Sequence, residues 1–160
     1  MPYAVYPGSF DPVTYGHLDL IERALRIFDK VTVAIAKNIG KDPLFTTQER
    51  LEMMRQATQP LKGVEVDAFD GLVVDYVRKK KASVVIRGLR MISDFEFEFQ
   101  MALTNRKLND RIETIFLMPS ENYAYLSSRL IKEAAGLGAK VTDFVPPFVE
   151  KRLKEKLRQK

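Results

Sequence analysis

The chain has 160 residues, of which 46% are hydrophobic and 29% are charged, a composition typical of a globular protein large enough to bury a core. It contains no cysteine and one histidine, so disulfides, cysteine-ligated zinc and histidine-rich metal sites are excluded. The net charge is +5, and the basic residues of segment 150–160 account for most of that excess.

The basic segment has two possible readings. We interpret it as the solvated face of a C-terminal helix, with contact to a polyanion or a membrane surface as the alternative. No apolar stretch approaches the roughly 20 residues that span a bilayer, and the N-terminus lacks the pattern of a secretory signal. We therefore expect a cytoplasmic protein with no nucleic-acid or membrane partner.

Short apolar runs alternate with segments of helical periodicity along the chain. Strands are predicted over residues 3–6, 31–36, 64–68, 84–86 and 114–118. Helices are predicted over 18–28, from a capping box at Thr46 and Glu49, over 72–81, over 94–107, from Ser127 or Ser128 to Gly136, and over 148–159. Because strands that alternate with helices form parallel sheets, we predict one α/β domain over 1–160. Its fold is Rossmann-like: a doubly wound, five-stranded parallel sheet with helices on both faces.

The segment 94–107 fits a strand by alternation, but its length favours a helix. One helical face would carry Phe95, Phe99, Ala102 and Leu103, and the opposite face would carry Phe97 and Met101. Two apolar stripes predict a second partner surface and therefore an oligomer. The alternative is a helix that is buried on both sides within one subunit.

Residues 6–17 read YPGSFDPVTYGH, the pattern of a strand, a glycine turn and a helix start. This layout puts His17 at a helix N-terminus, where backbone N–H groups and the helix dipole favour anions. Arg87 follows the buried-type run 84–86, and an arginine there can bind phosphate through two hydrogen bonds. Lys37, Lys41, Arg90 and several hydroxyl groups also follow strands, where parallel sheets bind ligands.

Two absences narrow the chemistry. The sequence has neither a P-loop nor a GxGxxG turn after the first strand, and no base–nucleophile pair stands out. Phosphate binders without a general base fit phosphoryl or nucleotidyl transfer, in which positioning and charge stabilisation supply most of the catalysis.

Two runs of the sequence resemble the motifs of the nucleotidylyltransferase superfamily. They are TYGH at residues 14–17, similar to (H/T)xGH, and SSRLIK at residues 127–132, similar to SSxxx(K/R). Four further runs resemble the bacterial phosphopantetheine adenylyltransferase family: YPGSFDP at 6–12, IRGLR at 86–90, DFEFE at 94–98 and FLMPS at 116–120. The resemblance covers nearly the full chain, and the TxGH form with Thr14 is typical of that family.

The resemblance implies adenylyl transfer from ATP to 4′-phosphopantetheine, which gives dephospho-coenzyme A and pyrophosphate in the penultimate step of coenzyme A synthesis. It also implies Mg²⁺ with the ATP, a homohexamer and feedback inhibition by coenzyme A. The alternatives are a sister nucleotidylyltransferase with another phosphate acceptor and, from a different class, a non-catalytic polyanion-binding protein.

The resemblance further implies roles for individual residues. His17 would bind ATP and stabilise the transition state, and Ser9, where the family usually has threonine, would contact both substrates. The implied ATP-binding residues are Ser9, Phe10, His17, Gly88, Leu89, Arg90, Glu98, Tyr123, Ala124, Tyr125, Leu126, Ser127, Ser128 and Arg129. The implied phosphopantetheine-binding residues are Ser9, Lys41, Val73 and Arg87. No residue is implied as a metal ligand.

Overall fold

The computed structural model describes residues 2–37 and 42–159, without the side chains of Ile92 and Ser93. Its strands are β1 (Tyr3–Gly8), β2 (Lys30–Ala36), β3 (Val64–Phe69), β4 (Val84–Gly88) and β5 (Glu113–Leu117). Its helices are α1 (Tyr15–Ala24), α2 (Thr47–Thr58), α3 (Val73–Lys79), α4 (Ile92–Leu108), α5 (Ser128–Gly136) and α6 (Pro147–Arg158). All the predicted strands and helices are present, but α1 ends at Ala24 rather than at Phe28, and α6 begins at Pro147.

The five strands form one sheet in the order β3-β2-β1-β4-β5, and every neighbouring pair is parallel. The direction of winding reverses between β1 and β4, where Ala4 pairs with Val84 and Val5 with Val85. This reversal is the topological switch point of a doubly wound sheet, outside which ligands bind. The predicted five-stranded Rossmann-like sheet is confirmed.

Neighbouring residues of β1 pack on opposite faces of the sheet. Ala4 and Tyr6 belong to the larger core, which also contains apolar side chains of α1, α2, α5 and α6. Val5 belongs to a smaller core, which contains Val74 and Val77 of α3. Because side chains alternate along a strand, these two cores mark the two faces of the sheet. The prediction of helices on both faces is therefore confirmed.

The basic helix α6 packs against α2 through charges. Lys156 donates to Glu49 at 3.0 Å, and Arg152 lies 3.4 Å from Glu52. Glu49 also completes the predicted capping box of α2, since its N–H bonds to Thr46 Oγ1 at 3.2 Å and its carboxylate accepts from Thr46 N–H at 2.7 Å. Two basic residues of α6 thus have acidic partners on α2. These two residues depart from the solvated face that the sequence predicts.

Helix α4 does not bury its aromatic residues against its own chain. Phe95, Phe97 and Phe99 are 48%, 60% and 49% exposed, whereas Glu98 is 7% exposed. Most side chains of both predicted apolar stripes are therefore exposed, although Met101 and Ala102 also border a cavity described below. The alternative of a helix buried on both sides within one subunit is wrong for this chain.

Among the helices of the described residues, none is long and apolar enough to cross a membrane.

Candidate active site

The turn between β1 and α1 fixes the orientation of His17. Thr14 caps the helix, and its Oγ1 accepts the N–H of His17 at 3.3 Å. In return, the backbone N–H of Thr14 donates to Nδ1 of His17 at 3.0 Å. A backbone N–H can only donate, so Nδ1 is the acceptor and the proton of the neutral ring lies on Nε2.

His17 is neutral at physiological pH in this structure. Burial and then the nearby positive charges of Arg90 and Arg87 lower its pKa from 6.5 to about 3. The imidazole therefore acts as a hydrogen-bond donor through Nε2 rather than as a resident cation.

Phe10 packs its ring against the ring of His17. Its ring is 2% exposed and lies 4.8 Å from the His17 ring and 5.2 Å from the Tyr6 ring, with edge-to-face geometry in both pairs. Its backbone has a φ of 48°, a left-handed conformation that is strained for a bulky residue. The turn therefore holds a strained conformation next to His17, which requires support from the surrounding residues.

A cavity of about 290 Å³ opens at the carboxyl ends of β1 and β4. It is lined by Ser9, Phe10, His17, Arg87, Gly88, Arg90, Glu98, Tyr123, Leu126, Ser127, Ser128 and Arg129 of the predicted site. We call it the first cavity. Most of the predicted ATP-binding residues, which come from three separate stretches of sequence, thus meet around one space.

Three predicted ATP-binding residues do not line that space. Leu89, Ala124 and Tyr125 belong to the described part of the chain but border neither this cavity nor the second one below. Tyr125 instead packs edge-to-face on Phe144 at 6.1 Å. Lys41 lies outside the described residues.

A second cavity of about 170 Å³ adjoins the first. It is lined by Val73, one of the residues predicted to bind phosphopantetheine. The other side chains that line it, two of them polar, were not predicted as site residues: Ala36, Phe69, Val85, Met101, Ala102, Asn105 and Thr114. The signal for Asn105 was its spacing, since it lies seven residues after Glu98 and therefore on the same helical face. The second cavity is the more apolar of the two.

Arg87 and Glu98 stand between the two cavities and line both. The guanidinium donates through Nε and Nη2 to the two oxygens of Glu98 at 2.8 and 2.6 Å, and through Nη1 to the carbonyl of Pro7 at 2.8 Å. The sequence had placed Arg87 with one substrate and Glu98 with the other. In the structure they form one bidentate ion pair that joins β4, β1 and α4.

Arg90 also lines the first cavity. Its Nη1 donates to the carbonyl of Leu126 at 2.6 Å, and its Nε lies 3.4 Å from Asp94. Asp94 also lines the first cavity, although the sequence reasoning did not select it. Within the described part of the chain, no group of three or more His, Cys, Asp or Glu side chains could hold a metal ion.

The sequence profile of the cytidylyltransferase-like family matches residues 5–134. A phosphopantetheine adenylyltransferase of Caldanaerobacter subterraneus subsp. tengcongensis is 56% identical over 159 residues, with 99% of each chain covered. A protein of the same name from Geobacter sulfurreducens is 54% identical over 96% of this chain and 93% of its own. The chain belongs to the phosphopantetheine adenylyltransferase family.

A solved structure agrees with the fold. A Vibrio parahaemolyticus protein, provisionally named nicotinate-nucleotide adenylyltransferase, superposes with a TM-score of 0.73 at 18% identity and covers 96% of this chain and 99% of its own. At that identity the likeness concerns the fold alone. The predicted membership of the phosphopantetheine adenylyltransferase family is confirmed by the sequence relatives.

Proposed function

We propose that this chain transfers the adenylyl group of ATP to 4′-phosphopantetheine, giving dephospho-coenzyme A and pyrophosphate. The observation that carries the proposal is the identity of 56% and 54%, over nearly whole chains, to relatives that bear the name of this activity. The two adjoining cavities support it, because the reaction needs one space for a nucleoside triphosphate and another for a long arm in which amide groups alternate with apolar ones.

The nucleophile is the terminal phosphate of phosphopantetheine. One of its oxygens forms a bond to the α-phosphorus of ATP, while the bond from that phosphorus to the bridging oxygen breaks and pyrophosphate leaves. Because this phosphate is already anionic at neutral pH, the step needs no general base. The main task of the protein is to align the two groups and to stabilise the growing negative charge.

His17 fits the transition-state role because of its capping geometry. With Nδ1 held by the Thr14 N–H, the neutral ring offers Nε2–H to a phosphate oxygen of ATP. The N-terminus of α1 and Arg90 also line the first cavity and add positive potential to it. The remaining ATP contacts are assigned to the cavity-lining residues, including Ser9, and to the backbone around Phe10.

The Arg87–Glu98 pair is the proposed boundary between the substrates. Three of the five N–H donors of Arg87 are engaged, which leaves two for the phosphate of phosphopantetheine. The pantetheine arm of this substrate would lie in the second cavity beside Val73, where Asn105 can form a hydrogen bond to one of its amides. Lys41 is proposed as a further cation for the same phosphate on the basis of the sequence alone.

We assign Mg²⁺ to the phosphates of ATP rather than to a cage of side chains. This fits the donor set of the first cavity, whose carboxylates, Asp94 and Glu98, face the guanidinium groups of Arg90 and Arg87. Mg²⁺ commonly binds through substrate phosphates and water with few protein ligands. When bound there, it would neutralise phosphate charge.

The homohexamer and feedback by coenzyme A remain proposals. The outward aromatic face of α4 supports an oligomer, because contiguous exposed apolar residues mark association surfaces. Coenzyme A carries the adenylyl and pantetheine groups of the product, so it would compete for both cavities. We further propose that the chain acts in the cytoplasm as one catalytic domain.

The deciding experiment measures pyrophosphate release by the purified protein with ATP and Mg²⁺ across a panel of acceptors. We expect turnover with 4′-phosphopantetheine, and none with nicotinamide mononucleotide or with pantetheine, which lacks the attacking phosphate. Turnover with another phosphate acceptor would favour a sister nucleotidylyltransferase. A protein that binds polyanions but turns over no acceptor would contradict the proposal altogether.

A further inference from the structure

Asp11 is a buried carboxylate outside both cavities. It is 3% exposed, and its oxygens accept the backbone N–H groups of Leu44 and Phe45 at 2.9 Å each. The ammonium of Lys132 on α5 lies 2.9 Å from Oδ2 of the same carboxylate. One side chain therefore connects the β1–α1 turn, the chain before α2 and helix α5, which carries the SSRLIK motif.

This carboxylate sits in the part of the turn that determines the site geometry. Asp11 follows Phe10, whose φ of 48° is strained, and lies between Ser9 and Thr14, which borders His17. The same stretch is held by two more contacts: Arg50 Nη1 donates to the carbonyl of Ser9, and Ser128 Oγ donates to the carbonyl of Pro12, both at 2.8 Å. We call residues 9–14 the first loop.

Lys132 belongs to the SSRLIK motif, and a lysine so near a triphosphate site could be expected to bind phosphate. The described residues place it elsewhere. Neither Lys132 nor Asp11 lines the first cavity, whereas Ser127, Ser128 and Arg129 of the same motif do. The lysine side chain is 29% exposed, and its ammonium faces the carboxylate of the first loop.

We propose that Lys132 is a positioning residue for the adenylyl transfer, acting through Asp11 on the first loop rather than through a substrate phosphate. The inference rests on the function proposed above. The guanidinium of Arg50 also lies near this carboxylate, but Lys132 is its direct ion-pair partner. A buried carboxylate that loses its direct partner is costly, so the chain around it shifts or takes in water. Since Asp11 is next to Phe10, such a shift moves the ring and backbone that support His17, and small misplacements of reacting groups reduce rates strongly.

The test is a double-mutant cycle with the full chain: wild type, Lys132→Met, Asp11→Asn and the double variant. For each protein we would measure kcat, KM for ATP and the thermal midpoint. We expect Lys132→Met to lower kcat roughly 10- to 100-fold with a smaller change in KM, because the loop geometry matters most in the transition state. In the Asp11→Asn background the same substitution should cost less than about threefold, since no buried carboxylate is left to neutralise.

Two further variants keep the cycle interpretable. Lys132→Gln can still donate to Asp11 without a charge and serves if the methionine variant does not fold; it should retain an intermediate kcat. Lys140→Met removes an exposed lysine just beyond α5 and should leave kcat unchanged.

The proposal would be overturned if Lys132→Met lowered kcat by the same factor in the wild type and in the Asp11→Asn variant. Equal losses would mean that the lysine acts on a substrate directly. A KM for ATP that rises while kcat stays constant would have the same meaning. A wild-type protein that is inactive with ATP and 4′-phosphopantetheine would refute the proposed function instead, so the two failures are distinguishable.

Discussion

The first loop and helix α4 differ in which of their side chains are buried. In the loop, Asp11 and Thr14 are 3% and 2% exposed, and their polar atoms bond to neighbouring parts of the same chain. In α4, the polar residue Glu98 faces inward to Arg87, while Phe95 and Phe97 face outward. The polar groups of the loop find their partners within the chain, whereas α4 leaves large apolar side chains exposed.

The two regions illustrate two different structural demands, one on a catalytic turn and one on a helix at a surface. A catalytic turn must be rigid before its substrate arrives, so it is held from within the chain, here also by residues far away in sequence such as Arg50 and Lys132. A helix that contributes to a cavity with one face and to an assembly with the other carries polar residues inside and apolar ones outside. The comparison can be tested by changing residues on each side of it.

The largest expected effect is that of His17→Ala on catalysis. Loss of one transition-state hydrogen bond costs about 3–4 kcal/mol, so kcat should fall between a hundredfold and a thousandfold. Steady-state pyrophosphate release measures this loss, and circular dichroism shows whether the variant folds. Gln56→Ala, an exposed change on α2, is the control and should keep full turnover. Near wild-type turnover of His17→Ala would remove the histidine from the mechanism.

Arg87→Met should have the next largest effect, and it acts at the boundary of loop, sheet and α4. It leaves Glu98 without its partner and withdraws two donors from the proposed phosphate site. Hydrogen bonds to charged groups contribute about 1.5–3 kcal/mol, so KM for phosphopantetheine should rise between about tenfold and a hundredfold.

Initial rates at varied phosphopantetheine and at varied ATP separate the two substrates. The matched control is Arg106→Met, which breaks the exposed Arg106–Glu113 pair at 2.8 Å near the end of α4 and should change neither KM. If ATP binding collapsed in Arg87→Met while KM for phosphopantetheine stayed constant, the assignment of Arg87 would be reversed.

The sequence predicted local contacts better than long-range ones for a physical reason. Thr46 and Glu49 lie three residues apart, so their spacing alone predicts a capping box. Thr14 and His17 have the same spacing, but histidine stands where a capping box usually has Glu or Gln, and that cap was not predicted from the sequence. The Arg87–Glu98 pair depends on how α4 packs on β4, and no local pattern contains that information. Asp94 depends in the same way on the packing of α4, since it lies 3.4 Å from Arg90 and lines the first cavity. Asn105, by contrast, could have been found once Glu98 was known to face inward, because it lies on the same helical face.

The pH dependence of stability tests the electrostatics of the loop. The pKa of His17 is about 3 in the folded chain and 6.5 ordinarily, so below pH 6.5 the unfolded chain binds a proton that the folded chain does not. The free energy of unfolding should therefore fall as pH decreases from 6.5 towards 3, by up to about 1.4 kcal/mol per pH unit from this residue. Urea titrations between pH 4.5 and 7.5 measure the slope. His17→Gln should show a shallower slope; an identical slope would mean that the ring is protonated at little cost.

Phe97→Asp should have the smallest effect on the stability of the single chain. It should have the clearest effect on assembly. Phe97 is 60% exposed, so its replacement removes little intrachain packing and should change the unfolding free energy of a dissociated chain by less than about 0.5 kcal/mol. In an apolar interface, by contrast, the new carboxylate would be buried without a partner, and the assembly should dissociate. Sedimentation velocity measures the mass of each variant. Leu137→Asp, at a residue that is 90% exposed at the end of α5, is the matched control and should retain the wild-type mass. If Phe97→Asp kept that mass as well, the outward face of α4 would not be an assembly surface, and its contrast with the first loop would need another explanation.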